Sequence, residues 1–133
     1  MSSSVLLGFE VSLRTVIATL RVAGFHCWPE APDAVKHLRD RHRHEFLFRA
    51  EVVVEHEERQ VEFQILQHQM RLCLEQLYER YDLGLEFGRR SCETLAQELA
   101  GSLLKVFGIL PSAVEVWEDC ENGSRVLLRP VCE

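Results

Sequence analysis

A period of two runs through His42-Arg43-His44-Glu45-Phe46-Leu47-Phe48-Arg49-Ala50-Glu51-Val52-Val53-Val54. After His44 every second residue is apolar, up to Val54. The charged residues Glu45, Arg49 and Glu51 fall on the opposite face. This alternation predicts a half-buried β-strand. His42 and His44 open the strand on its apolar face, about 7 Å apart along the chain.

A third histidine, His26, closes an earlier apolar run, Val22-Ala23-Gly24-Phe25-His26. If the two strands are neighbours, His26, His42 and His44 form a three-ligand site with an open position, as in catalytic zinc sites. Imidazole also suits iron and nickel, so the metal is left open. The alternative interpretation of His-x-His is a solvated or structural pair.

The remaining periodicities predict an α+β fold. Apolar residues at helical spacing indicate one helix over Phe63 to Leu77 and a second that begins at the N-cap Ser91 and ends before Gly108. Strands are predicted over Phe9–His26, Val114–Glu118 and Arg125–Val131, with a turn of helix at Ala34–Leu38 and a hairpin turn at Asn122-Gly123. The order ββααββ predicts a four-stranded antiparallel sheet with two helices on one face, in a single domain over residues 1–133.

Composition narrows the class of protein. The apolar fraction of 47%, the charged fraction of 27% and the net charge of −6 are ordinary for a globular protein and argue against general nucleic-acid binding. The cations between Lys36 and Arg43 either form a solvated loop or hold an anionic ligand. Five cysteines without a Cys-x-x-Cys pair, no signal peptide and no membrane-spanning run predict a reduced, cytoplasmic protein.

Together these motifs resemble the 6-pyruvoyltetrahydropterin synthase and 6-carboxytetrahydropterin synthase family, which has the tunnelling (T) fold. The resemblance runs from about Val22 to Val126. His26 corresponds to the family's first histidine and His42-Arg43-His44 to its His-x-His pair. Three further matches are Val61-Glu62-Phe63, Arg90-Ser91-Cys92-Glu93 and Val114-Glu115-Val116-Trp117-Glu118.

The chain departs from the family where the family moves protons. The family's catalytic cysteine lies just before the His-x-His, and here that stretch reads His37-Leu38-Arg39-Asp40-Arg41. The family's Asp-His pair belongs at the end of the first helix, near Leu77-Tyr78, and is also missing. Candidates to replace these groups are Cys27 and Tyr78. Cys27 adjoins His26, but neighbouring residues of a strand are expected to face opposite ways.

The resemblance implies roles for two carboxylates. Glu118 would grip the amino and ring N–H groups of a pterin or purine, and the alternative is a strand-end carboxylate that reaches solvent. Glu93 is a second ligand-binding candidate, although a carboxylate in the first turn of a helix is also favoured by the helix dipole.

Two functions are therefore compatible with the sequence. One is a zinc-dependent enzyme, similar to carbon–oxygen lyases, that acts on a pterin or a purine-derived ligand. The other is a non-catalytic binding protein that keeps the pocket. Family members assemble into hexamers or tetramers by pairing sheet edges into a barrel, so the resemblance also implies a homo-oligomer. Net charge and the lack of a long apolar run predict no nucleic-acid or membrane partner.

Overall fold

The computed structural model describes residues 7–132. Along the chain it contains β1 (Arg14–His26), a 3-10 turn (Asp33–Leu38), β2 (His42–Val54), α1 (Phe63–Leu77), β3 (Arg80–Tyr81), β4 (Gly84–Gly88), α2 (Cys92–Phe107), β5 (Ala113–Glu118) and β6 (Asn122–Leu127). Within these residues the strands form a six-stranded sheet in the order β3-β4-β1-β2-β5-β6. The predicted α+β class is confirmed.

The core lies between one face of the sheet and both α-helices. Alternate residues of β2, from Phe46 to Val54, are buried, as the period of two predicts. The same core contains Leu66 and Met70 of α1 and Leu95 and Leu99 of α2, all fully buried. Both helices therefore cover the face on which His42 and His44 were predicted to lie.

The predicted helix ends are present. The Ser91 hydroxyl caps α2 by accepting the Thr94 N–H at 3.2 Å, and Gly108 ends it in the left-handed region at φ 69°. At α1 the Glu62 carboxylate accepts the Ile65 N–H at 2.9 Å. The Ser91 cap fixes where α2 begins, and the start of α2 forms one wall of the site described below.

The sequence predicted four antiparallel strands, but the described sheet has six. The four expected strands are present as β1, β2, β5 and β6, each antiparallel to its neighbour. A short hairpin, β3–β4, adds two more, and β4 runs parallel to β1. Its turn places Asp82 and Leu83 in the left-handed region, at φ 55° and 66°. Leucine is an unusual residue there, and a two-residue strand has no period, so the sequence gives little signal for this hairpin.

Two strand boundaries also differ from the prediction. The first strand begins at Arg14 rather than Phe9, and the last spans Asn122–Leu127 rather than Arg125–Val131. The hairpin turn lies at Asp119 and Cys120, both left-handed with φ 53° and 57°, while Asn122-Gly123 is already in β6. Gly123 is needed for a different reason: a Cβ there would lie 2.5 Å from the Val116 carbonyl oxygen.

Across the described residues, none of the helices has the length and apolar character that crossing a membrane requires.

Candidate functional site

Antiparallel pairing brings the three histidines together. His26, the last residue of β1, is paired with His42, the first residue of β2, and His44 is paired with Gly24. The His26 ring centroid lies 4.5 Å from that of His42 and 5.3 Å from that of His44. One nitrogen from each ring lies within 4.8 Å of the other two, so the cluster could hold a metal ion. The third member therefore lies on a neighbouring strand, as the sequence predicted.

Each histidine has its Nδ1 atom held by an oxygen. Nδ1–H of His26 donates to the Arg90 carbonyl oxygen at 3.1 Å, and Nδ1–H of His42 donates to that of Asp40 at 2.8 Å. Nδ1–H of His44 donates to the Asp119 carboxylate at 2.7 Å. Carbonyl oxygens and ionised carboxylates only accept hydrogen bonds, so these contacts favour the proton on Nδ1 when a ring is in its neutral form. The lone pair is then on Nε2.

In the part of the chain that the structure describes, two of the three Nε2 atoms are not satisfied by the protein itself, whereas His26 Nε2 lies 3.2 Å from a Glu118 oxygen. Within the described residues, His42 Nε2 and His44 Nε2 are buried and have no hydrogen-bond partner. His44 Nε2 does lie 3.3 Å from a Glu118 oxygen, but without the alignment of a hydrogen bond. Buried polar atoms normally find partners. Nitrogen lone pairs that converge in this way can coordinate a metal cation.

The surroundings favour a neutral His42. Burial lowers its pKa, and the neighbouring imidazoles lower it further against the effect of the Asp40 carbonyl. The pKa of His26 shifts the other way. Burial lowers it, but the Glu118 carboxylate, 3.2 Å away, and the Arg90 carbonyl have the larger combined effect, so the pKa of His26 is raised. The same contact with His26 holds the pKa of Glu118 below its usual value, so Glu118 is ionised. Converging imidazole nitrogens beside an ionised carboxylate form a donor set that fits zinc.

Asp119 supports the candidate site, although the sequence did not single it out. One carboxylate oxygen holds His44, and the other accepts the Glu45 N–H at 2.9 Å. The Glu45 hydrogen bond and His44 lower the pKa of Asp119. A carboxylate behind a metal-ligating histidine is one of the common partners that orient the ring. The only signal in the sequence was its place immediately after Glu118.

A cavity of about 490 Å³ adjoins the histidines. The ends of β1 and β2, the start of α2 and the β5–β6 hairpin form its walls. Its lining residues include His26, Cys27, Trp28, His42, Arg90, Cys92, Glu93, Glu118 and Ser124. The volume is in the range of sites for small organic ligands.

Both predicted ligand-binding carboxylates line this cavity. Glu118 accepts a hydrogen bond from the Cys92 thiol, with sulfur and oxygen 3.7 Å apart. Burial, followed by the charge of Glu118, raises the pKa of Cys92 to about 12, so this thiol stays protonated. Glu93 accepts a short hydrogen bond from the Ser124 hydroxyl.

The two candidate catalytic residues have different positions. Cys27 lines the cavity together with His26, although strand alternation predicted opposite faces, because Cys27 lies just beyond the end of β1. Tyr78 is in the core and does not line the cavity: it is 5% exposed, and its hydroxyl donates to Glu98 at 2.6 Å. Burial and the Glu98 carboxylate raise the pKa of Tyr78 well above its usual value. The structure thus brings Cys27, but not Tyr78, to the site.

The cations before His42 are largely engaged with acidic side chains. Arg39 pairs with Asp33 at 2.7 Å. Arg41 pairs with Glu86 and stacks on Phe25, with its guanidinium carbon 3.7 Å from the ring centroid. These pairs favour a structured charged loop over an anion-binding site.

Comparison with known proteins supports the fold. No protein-family profile matches the chain, and no curated protein matches its sequence. A structure of 6-pyruvoyl tetrahydropterin synthase from Caenorhabditis elegans matches with a TM-score of 0.63 at 14% identity, covering 91% of this chain and 99% of that chain. An uncharacterized protein from Wolinella succinogenes matches with a TM-score of 0.63 at 12% identity, covering 90% and 100%. At these identities the likeness shows a shared fold, and the activity must be argued from the site.

Proposed function

We propose that this chain binds a divalent metal ion, zinc in the first place, through Nε2 of His26, His42 and His44. The observation that carries the proposal is the convergence of three imidazole nitrogens whose opposite ring atoms are each fixed by an oxygen acceptor. Three histidines leave a coordination position open, which is typical of catalytic rather than structural zinc.

We further propose that the adjoining cavity takes a pterin- or purine-like ligand. Pterin and guanine rings carry an amino group next to a ring N–H, and an ionised carboxylate accepts hydrogen bonds from both. The proposal assigns this role to Glu118, which lies in the cavity wall 3.2 Å from His26, with Glu93 as a second carboxylate. When bound, zinc would supply Lewis-acid polarisation of a ligand carbonyl or hydroxyl.

Two versions of this function differ in chemistry. The first is a divergent enzyme similar to 6-pyruvoyltetrahydropterin and 6-carboxytetrahydropterin synthases, of the carbon–oxygen lyase type, in which Cys27, which lines the cavity, is the candidate for moving a proton. The second is a non-catalytic binding protein. It is favoured because Tyr78, the other catalytic candidate, is in the core, and because the thiol of Cys92, a further cysteine in the cavity wall, is held protonated against Glu118.

Metal content tests the first proposal. Protein purified without an affinity tag should contain about one zinc per chain by elemental analysis, and His42→Ala and His44→Ala should lose it. Zinc added at a hundredfold excess over its dissociation constant should stabilise the folded state by about 2.7 kcal/mol. Unchanged metal content in both variants would overturn the assignment.

Thermal unfolding tests the ligand. A pterin such as neopterin, or guanine, should raise the melting temperature of the zinc-loaded protein, since it binds only the folded state. Glu118→Ala should abolish this shift while zinc stays bound, and Glu121→Ala, which removes an exposed carboxylate from the same hairpin, should keep it. A shift that survives Glu118→Ala would exclude Glu118 as the anchor.

Product analysis separates the enzyme from the binding protein. After incubation with dihydroneopterin triphosphate, mass spectrometry should show little or no ordinary synthase product. Each general acid–base step typically contributes about 10²–10⁴-fold to the rate, and the family's groups for these steps are missing. Full turnover by the wild-type protein would contradict the loss of that chemistry.

A further inference from the structure

A half-buried charged network lies beneath the histidine cluster. Arg90, in the loop between β4 and α2, donates from Nε to Glu98 at 2.7 Å. Tyr78 donates its hydroxyl to the same Glu98 oxygen at 2.6 Å. The Arg90 guanidinium also donates to the Phe87 carbonyl at 3.2 Å and lies over the Tyr78 ring, 5.1 Å from its centroid. The Arg90 side chain is therefore held on three sides.

The same arginine meets the candidate metal site through its backbone. Its carbonyl oxygen accepts the Nδ1–H of His26 at 3.1 Å. This acceptor comes from far along the chain, whereas the acceptor of His42 is the carbonyl of Asp40, two residues away. The orientation of His26 thus depends on tertiary structure that the network around Arg90 holds in place.

We propose that Glu98, acting through Arg90, is a positioning residue that fixes the ring orientation and tautomer of His26. The inference rests on the proposed metal site for its functional meaning, but its geometry can be tested without metal. Hydrogen-bond partners behind a ligating histidine typically change metal affinity by about 10–100-fold when removed. Here the partner is a backbone carbonyl, which no side-chain substitution can delete, so the side chains that anchor it are the residues to change.

Stability alone does not account for this arrangement. The Arg90 and Glu98 side chains are 40% and 34% exposed, and ion pairs of that exposure contribute little to stability. The pair is nevertheless held in place, because one Glu98 oxygen accepts hydrogen bonds from both Arg90 and the buried Tyr78. This geometry restricts where the Arg90 backbone can lie.

The test uses three variants and one control. Glu98→Ala removes the shared acceptor, Glu98→Gln keeps an oxygen in its place, and Arg90→Ala removes the anchored side chain. The control is Arg89→Ala, because Arg89 lines the same cavity but pairs with Glu30 at the exposed surface. Nitrogen-15 NMR of the histidine rings, recorded on metal-free protein at about pH 9 where imidazole is neutral, reports which nitrogen carries the proton. Competition with a chromophoric chelator measures zinc affinity.

We expect Glu98→Ala and Arg90→Ala to move His26 away from the Nδ1–H tautomer and to weaken zinc binding about 10-fold. Glu98→Gln should fall between these variants and the wild type, and Arg89→Ala should match the wild type. Arg90→Ala, at a partly exposed position, gives a second measurement if Glu98→Ala fails to fold.

The possible failures are distinguishable. If Glu98→Ala and Arg90→Ala fold and bind zinc normally with an unchanged His26 tautomer, the positioning role is overturned and the metal site stands. A wild type that binds no zinc, with variants that still shift the His26 tautomer, would overturn the metal site and support the positioning role.

Discussion

Asp119 connects the backbone of the β5–β6 turn to the candidate metal site. The Asp119 backbone is in the left-handed region at φ 53°, and the Asp119 carboxylate accepts hydrogen bonds from His44 and from the Glu45 N–H. Asp119→Gly removes the carboxylate and leaves the backbone conformation unstrained. We expect it to weaken zinc binding by about 10–100-fold, because His44 loses its orienting partner. Asp119→Asn keeps an acceptor oxygen and should lose less.

The neighbouring residue provides the matched control for Asp119. Cys120 is also left-handed, at φ 57°, so Cys120→Gly relaxes the same turn without touching His44. Zinc affinity, measured by chelator competition, should be unchanged in this variant. If Asp119→Gly and Cys120→Gly bind zinc alike, the carboxylate does not orient His44.

The three histidines could be selected from the sequence, but their supporting partners could not. A spacing of two on a strand and a third histidine at the end of another strand are local patterns. The role of Asp119 depends on where the β5–β6 turn lies, and the Asn122-Gly123 signal placed that turn too late along the chain. The acceptor for His26 is the backbone carbonyl of Arg90, which has no signature in a sequence. Ligand residues are therefore more predictable than the groups that orient them.

Gly24 determines how closely β1 approaches the core beneath His44. A Cβ at this position would lie 2.3 Å from Phe87 Cε2 and 2.9 Å from Phe46 Cδ2. Both rings are fully buried, so they have little room to move. Gly24→Ala should lower the free energy of unfolding by about 1–3 kcal/mol, the usual cost of overpacking. Urea unfolding of the metal-free protein measures it.

Gly101→Ala, inside α2, is the control for Gly24→Ala. No heavy atom lies within 4 Å of a Cβ built there, and its φ is not left-handed. Gly101→Ala should raise the free energy of unfolding by about 0.5–1 kcal/mol, since alanine is the better helix former. A Gly24→Ala protein as stable as Gly101→Ala would show that the rings near β1 yield more easily than the packing indicates.

Strands and helices with a clear period were predicted well, and short ones were not. β2 and the two α-helices were predicted because each repeats its apolar pattern over several turns or pleats. β3 and β4 are too short to show a period, yet β4 matters to the site. Its Gly88 carbonyl accepts the Cys27 N–H at 2.9 Å, and Phe87 packs against Phe46 with centroids 4.9 Å apart. Tertiary contacts, rather than local preference, define this hairpin.

The sheet has two unlike faces. Both α-helices pack on the face that carries the core, and apolar side chains are exposed on the opposite face, among them Ile17 and Val53 at 41% and 45% exposure. In the described residues β6 is an edge strand, and Leu127 at its end is 67% exposed. An open edge beside exposed apolar residues is a common pairing surface for another chain.

We therefore predict that the protein forms a homo-oligomer, a hexamer or tetramer closed by edge-to-edge pairing, as the fold resemblance implies. Leu127→Lys places a charge on the β6 edge, a device that blocks strand pairing, and should shift the protein toward the monomer. Leu104→Lys, at a 48% exposed position on α2, adds the same charge away from the sheet edge and should leave assembly unchanged. Sedimentation velocity at micromolar concentration measures all three proteins. A wild type that sediments as a stable monomer would refute the assembly, and equal dissociation of both variants would refute the β6 edge as its interface.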